Sequence, residues 1–402
     1  MNKFYITFTS CDKVRLDCEK IKNYLTANKL ELASSPKNAD YLFISTCGLT
    51  KTHEDLSINK ILQFEKFNGK VIVCGCLPSM NLKRIRKIFN GKCITTKDID
   101  KIDELFPDFK VKFNDISSVN KIFVETNRQK IKQKLQKLNL FYLLKFLNKC
   151  SPFDKINRKI NMLLPFIIDF NNNFFALRIS SGCLGNCTYC NIKKAIGKLR
   201  SKPTHLILEE VRRGLLDKQY ILSIISSDTG SYGLDIGSNL PRLLNAILSE
   251  DKRIVIDFLP SLHPMWICHY KSELIRLVKT KRIRSFLTPF QSGSERILKL
   301  MNRYTDLNEF KSTLNEMKNI YPSLRLRTQV IVGFPTETEK DFQDTINFIK
   351  ECNFDEVDVL PYHETAVTDS AKIKPKVSAD VISNRLESIR LPNNVIVHIC
   401  QP

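Results

Sequence analysis

Cys183, Cys187 and Cys190 stand at CxxxCxxC spacing in the run Cys183-Leu184-Gly185-Asn186-Cys187-Thr188-Tyr189-Cys190. Soft thiolates at this spacing can hold three irons of a [4Fe-4S] cluster. The fourth iron then has no protein ligand and stays open to a chelating molecule. The rival reading is a zinc knuckle or three structural thiols. A structural zinc site takes four ligands, usually through a second CxxC or a His pair, and none follows at zinc spacing. An apolar alternating run, Phe174 to Ile179, leads into the motif and puts it at a strand-to-loop junction.

A second set of thiols lies near the N-terminus. Cys11, Cys47 and Cys76 each come just after an apolar strand-like run. Loops after parallel strands gather at one edge of a sheet, so residues far apart in sequence converge there. Three thiolates are also the number that a second cluster with an open iron needs. Cysteine is equally a good buried hydrophobe. Cys18, on a predicted helix, Cys74, within a strand, and Cys93 fit that plainer role.

Four further segments could close a site. Ser226 to Asp235 is a Gly- and Ser-rich acidic loop in which Asp228 and Thr229 could meet a bound cofactor, or serve only as turn chemistry. Asp257 and Pro260 are as readily strand-capping and turn residues. In Pro289 to Ser294, Gln291 and Ser292 could hydrogen-bond a cofactor, and Ser294 could cap a helix. Gly333 opens Gly333-Phe334-Pro335-Thr336-Glu337-Thr338 and permits close backbone approach. Arg327, in the strand before it, could meet a carboxylate or phosphate, with a structural ion pair as its equal rival.

These groups need a scaffold. In residues 1–120, strands at Phe4–Thr9, Tyr41–Ser45 and Val71–Cys74 alternate with helices near Cys18–Asn28, His53–Phe67 and Leu82–Phe89. That pattern predicts an α/β parallel sheet with helices on both faces. In residues 169–375, six strands recur at Phe174–Ile179, Tyr220–Ser226, Ile254–Phe258, Ser285–Thr288, Leu326–Val332 and Glu356–Leu360, with helical patterns between them. Repeated strand-helix units predict a parallel barrel with its chemistry at the C-terminal strand ends. Between the two lies a basic connector, 121–168. Lys130, Lys132, Lys134 and Lys137 flank a helical apolar pattern of Leu135, Leu138, Phe141, Tyr142 and Phe146. It reads as an RNA or membrane-surface clamp or as a helix packed between domains. Residues 376–402 form a short tail with a helix over Val377–Ile389.

Taken together, the motifs resemble the radical S-adenosylmethionine methylthiotransferases. CxxxCxxC with Tyr189 before the last Cys is that superfamily's signature. The first N-terminal motif resembles GCxxNxxDSE, matched at Cys11, Asp17 and Glu19, with Ser10, Val14 and Cys18 in place of its Gly, Asn and Ser. Ser45-Thr46-Cys47 resembles NTC, and Gly75-Cys76 supplies the third cysteine. Asp228-Thr229-Gly230-Ser231-Tyr232-Gly233 resembles a segment of the archaeal and eukaryotic branch acting on N6-threonylcarbamoyladenosine of transfer RNA. Where the family has GFPGET, this chain has Thr336 for the central Gly.

The resemblance implies a flavodoxin-like N-terminal domain followed by a partial (β/α)6 radical barrel. It implies two [4Fe-4S] clusters, on Cys11, Cys47 and Cys76 and on Cys183, Cys187 and Cys190, with S-adenosyl-L-methionine on the open iron of the second. Tyr189, Asp228, Thr229, Gln291, Ser292, Arg327 and Gly333 are the expected cofactor-binding positions. An electron donor such as flavodoxin or ferredoxin is implied. The family usually adds a small RNA-binding TRAM β-barrel at this point; past residue 376 Val395 to Ile399 supplies at most one strand, so that domain is expected to be absent or truncated.

Composition bears on the substrate. Lys plus Arg is 63 against 42 Asp plus Glu, a formal charge of +21. That suits a polyanion such as RNA, although a generally basic proteome would produce it too. Thirteen cysteines in 402 residues are too sparse for a disulfide-stapled secreted scaffold. Met1 to Thr9 lacks the long apolar core of a signal peptide, and Leu138 to Leu147 is too short to span a bilayer. The expectation is a cytoplasmic transfer RNA methylthiotransferase without stable membrane insertion. The alternatives are the same chemistry on a protein side chain, which a missing TRAM domain favours, and a non-catalytic RNA-binding relative.

Overall fold

The computed structural model describes residues 2–124, 175–365 and 368–399. The apolar pattern at Leu135–Phe146 and the lysines around it lie outside the described residues. The first domain is a five-stranded parallel sheet of β1 (Lys3–Phe8), β2 (Glu31–Leu32), β3 (Tyr41–Thr46), β4 (Lys70–Gly75) and β5 (Lys92–Thr95). Its strand order, β2-β1-β3-β4-β5, is that of flavodoxin-like folds. Strand periodicity sends alternate residues to opposite faces, and both faces are buried. Phe4, Ile6, Phe43 and Ile72 pack with Ile21, Tyr24 and Leu25 of the helix Asp12–Ala27. Leu42, Ile44, Val71 and Val73 pack with Ile58 and Ile61 of the helix Lys51–Phe64. Covering both faces is what makes these strands nearly continuous apolar runs. Periodicity along the chain does not reveal β2 and β5, which are short edge strands with little alternation to read. It also predicts the first helix a turn and a half too late, because Asp12 to Asp17 is mostly polar.

The second domain begins with β6 (Phe175–Arg178). A small hairpin of β7 (Ser180–Ser181) and β8 (Arg200–Ser201) then frames the cysteine loop. After it come β9 (Ile221–Ile225), β10 (Val255–Phe258), β11 (Ser285–Leu287), β12 (Arg325–Val332) and β13 (Glu356–Pro361), followed by β14 (Ile396–Ile399). β6 and β9 to β13 are the six expected strands. Hydrogen bonding groups them as β10-β9-β6 and β11-β12-β13-β14, and the bridges Ile256 to Ile283 and Leu259 to Phe286 join the two into one curved wall. Leu177, Leu222, Ile256, Phe286, Leu326, Val330, Val357 and Val359 join one core with the surrounding helices. The opposite parity, including Arg327, Gln329, Glu356 and Asp358, lines the inner side.

The tail joins this wall. The helix Ala379–Ser388 packs on β12 and β13, and β14 pairs in parallel with β13. Ser378 caps that helix by accepting from the Val381 N–H. Among the described residues, no helix is long and apolar enough to cross a membrane.

Candidate cluster and cofactor site

Cys47 and Cys76 follow β3 and β4 directly and Cys11 comes three residues after β1 ends, so parallel pairing brings them to one sheet edge. Each is within electrostatic reach of the others. Cys47 is held by its N–H donating to Ser57 Oγ at 3.0 Å. Burial pushes the Cys47 thiol up to about 11 and the Cys76 thiol up to about 12. A metal bound here would displace protons from these sulfurs.

The second triad sits on the loop between β7 and the short helix Ile192–Ile196. Gly182 begins it at φ +79°, where an added Cβ would lie 1.9 Å from the Lys198 carbonyl oxygen. Only glycine suits that position. Thr188 is tied down by its N–H to Met301 O at 3.1 Å and its hydroxyl to Leu300 O at 2.8 Å. Burial, with Asp228 alongside, pushes the Cys183 thiol up to about 12. The Gly185 N–H donates to Cys183 Sγ at 3.2 Å, and Arg303 Nη1 reaches Cys187 Sγ at 3.5 Å. Donors aimed at sulfur stabilise thiolate and sulfide charge, as around iron-sulfur centres.

The two triads face each other. The helix Leu77–Met80, which Cys76 opens, packs on the helix Ile192–Ile196 that follows Cys190. Arg178 pairs with Asp17 at 2.6 Å, and Thr96 Oγ1 donates to Ala195 O at 2.6 Å. Leu16, Ile122, Ala176 and Ile225 form a small apolar seam beside them.

The structure sorts the expected cofactor positions. Asp228 is buried at the Cys183 loop, where Oδ2 accepts from the Leu184 N–H at 3.3 Å and Oδ1 from Trp266 Nε1 at 2.9 Å. Tyr189 lies beside Arg303 and packs against Ile297, Met301 and Phe334. Gln291 holds φ +76°, and its buried Oε1 has no hydrogen-bond partner. Leaving such an atom unsatisfied is costly, which fits a ligand donor. Thr229, Ser292 and Gly333 have protein partners, and Arg327 has one at Nη2 while its buried Nε has none. Thr229 Oγ1 donates to Pro260 O, and Ser292 Oγ sits 3.3 Å from Thr345 Oγ1. Arg327 pairs with Glu356 at 2.5 Å, the structural role held open for it. The Gly333 N–H is taken by Glu337 Oε2 at 2.7 Å, and a Cβ on Gly333 would strike Ile382 of the tail helix. Thr336 is accommodated at φ +69° with its N–H donating to Pro375 O.

Three residues of the site are not singled out by the sequence: Lys13 fills an unspecified position of the Cys11 motif, and His263 and Arg303 lie in none. Lys13, His263 and Arg303 come together from the N-terminal helix, the loop after β10 and the loop after residue 300. His263 and Arg303 are hydrogen-bonded to each other, and Arg303 Nη2 donates to Pro289 O at 2.5 Å. Burial, with Arg303 and then Lys13 adding to it, holds the His263 imidazole well below its ordinary range, so the ring is neutral at pH 7.

Residues 177–349 match the Radical SAM superfamily model, and residues 3–95 match the model described as Uncharacterized protein family UPF0004. The chain is 30% identical over 400 residues to the Clostridium perfringens ribosomal protein uS12 methylthiotransferase RimO, covering 97% of this chain and 82% of that one. It is 29% identical over 373 residues to a protein of Methanocaldococcus jannaschii named a probable threonylcarbamoyladenosine tRNA methylthiotransferase, covering 92% and 78%. Among solved structures it is similar to TsrM of Kitasatospora setae, a radical S-adenosylmethionine methyltransferase. The TM-score is 0.62 at 9% identity, covering 98% of this chain and 80% of that one, which is a likeness of fold.

Proposed function

This chain belongs to the radical S-adenosylmethionine methylthiotransferases, and from that premise we propose that its substrate is transfer RNA carrying N6-threonylcarbamoyladenosine, converted to the 2-methylthio derivative. The family uses a [4Fe-4S] cluster and S-adenosylmethionine. On our reading Cys183, Cys187 and Cys190 hold that cluster, and Cys11, Cys47 and Cys76 hold a second one. When bound, these groups supply a carbon-centred radical, a sulfur atom and a methyl group, at the cost of an electron from a donor such as flavodoxin or ferredoxin.

The observation that carries the reading is the facing of two three-cysteine sets, one on each domain, across a closed seam. Hydrogen abstraction and sulfur insertion must act on one carbon in quick succession. Holding both centres over one space is the protein's contribution. Asp228 ties the loop after β9 to the Cys183 turn. Arg303 sets donors against Cys187. Tyr189 and Gln291 close the floor, with Gln291 Oε1 free to accept from a ligand. The +21 charge and the Asp228-to-Gly233 segment favour RNA.

A second reading is methylthiolation of a ribosomal protein side chain. The 30% identity to the Clostridium enzyme favours it, against 29% to the Methanocaldococcus protein. Mass spectrometry of transfer RNA nucleosides and of ribosomal proteins from a deletion strain decides between them. Loss of the methylthio nucleoside with unchanged ribosomal proteins is the expected result; the reverse would replace the first reading by the second.

A further inference from the structure

The gap between the two triads is lined by cationic side chains, and one of them lacks a counter-ion. Lys13 lies two residues after Cys11, and its ammonium reaches across the domain boundary to donate to Ser227 Oγ at 3.4 Å. It is close enough to Cys11 and Cys76 of one triad, and to Cys183 and Cys190 of the other, to interact electrostatically with all four. Arg178 fixes the same helical turn from the barrel side, donating to the Lys13 carbonyl and pairing with Asp17. His263 and Arg303 stand near it and are bonded to each other. Asp228, the acid beside the Cys183 loop, is already engaged by the Leu184 N–H and the Trp266 indole. Among the described residues the Lys13 ammonium forms no ion pair, and its hydrogen-bond partner Ser227 is neutral.

Lys13 is partly buried, and an ammonium held out of water without an anion is costly. Its position says what kind of partner would offset that cost: an anion entering the gap that both triads share. We infer that Lys13 seats a carboxylate of the substrate, the free acid of an amino-acid group attached to the base, and so selects bases bearing such a group. The inference rests on the transfer RNA reading above. Threonylcarbamoyladenosine carries such an acid, and an unmodified adenosine does not. The rival role is purely structural, with Lys13 offsetting the thiolate charge of the triads. That role would affect iron loading but would not distinguish an acid from its neutral amide.

The test uses the full chain, reconstituted anaerobically, and measures binding rather than turnover. Two anticodon stem-loop RNAs are titrated by fluorescence anisotropy, identical except that the threonylcarbamoyl acid is free in one and capped as the primary amide in the other. Wild-type protein should bind the acid about tenfold tighter or more, as charge-assisted hydrogen bonds imply. Lys13→Met should bring the ratio close to one, and Lys13→Arg should keep most of it. Iron is measured on every sample. Equal binding of acid and amide by the wild type overturns the inference. So does an unchanged preference in Lys13→Met with full iron. If Lys13→Met loses iron, Lys13→Gln takes its place, and iron loss in both variants assigns Lys13 the structural role and overturns the inference. Wild type that binds neither RNA but methylthiolates a ribosomal protein brings down the transfer RNA reading itself, a different result from any of these.

Discussion

Asp17 and Arg178, 161 positions apart in the chain, meet at 2.6 Å across the seam between the two domains. Asp17 is one of the acidic positions of the Cys11 motif, and Arg178 closes β6, the strand that leads to the Cys183 loop. Arg178 also donates to the carbonyl of Lys13. One guanidinium from the barrel thus holds the helix that carries the first cysteine of the other triad.

That contact is one of those that hold the two cysteine sets at their separation. Arg178→Met should therefore hurt sulfur insertion more than cofactor cleavage. A hydrogen-bonded charged pair that is partly exposed contributes on the order of 1–2 kcal/mol. We expect about a tenfold fall in methylthio product while 5′-deoxyadenosine formation changes less. The check is chromatography with mass detection of both products from one reaction. Equal loss of both would reduce the pair to a general stabilising contact.

The two cysteine sets should be separable by iron and by product. Wild type should hold about eight irons, four per site. Replacing Cys183, Cys187 and Cys190 by Ala should leave about half of the iron and abolish both products. Replacing Cys11, Cys47 and Cys76 by Ala should also leave about half. That second variant should still yield 5′-deoxyadenosine under strong reductant, with no methylthio nucleoside. Methylthio product from it would mean that the N-terminal thiols are core residues and that sulfur comes from elsewhere.

The tail helix pins the loop that Gly333 opens. Arg385 pairs with Glu337 at 2.8 Å, and both side chains are buried. Removing one partner of such a pair strands the other charge. Arg385→Ala should cost about 3–5 kcal/mol, and Arg385→Met with Glu337→Leu together should cost less than the single change. Gly333→Ala should cost about 1–2 kcal/mol from its left-handed backbone alone, before any clash with Ile382. Denaturant midpoints measure all three. A double variant as unstable as Arg385→Ala would show that packing, not the stranded carboxylate, sets the loss.

The last strand carries a pH-dependent tie. His398 of β14 meets Glu356 of β13 at 3.2 Å, with Asp358 and Arg327 nearby. The hydrogen bond to Glu356 is the main cause that raises the imidazole pKa above 6.5. A raised folded-state pKa means that the imidazolium adds stability, fully present below about pH 6.5 and lost as pH rises through the folded value. His398 is half exposed, so screening keeps the effect small. Wild type should melt above His398→Gln at pH 6, and the gap should close by pH 9. A gap independent of pH would remove the charged tie.

The Cys183 loop stood out because its three cysteines fall within eight residues, where spacing along the chain limits their geometry. The six barrel strands and the alternation of the N-terminal sheet were legible because buried parallel strands and amphipathic helices leave periodic apolar patterns. Convergence of Cys11, Cys47 and Cys76 followed from a topological rule, since each cysteine lies in the loop just after a parallel strand. The tertiary structure decided the rest. Arg327 could face a ligand or an acid, and only the register of β12 on β13 set it opposite Glu356. Gly333 looked like a place for a cofactor to approach, and Ile382, 49 positions on, filled the space instead. Lys13 fills an unspecified position of the Cys11 motif, and His263 and Arg303 belong to no motif. Local propensity acts within a few residues, whereas these three meet only after two domains have packed at one angle, and no pattern along the chain records that angle.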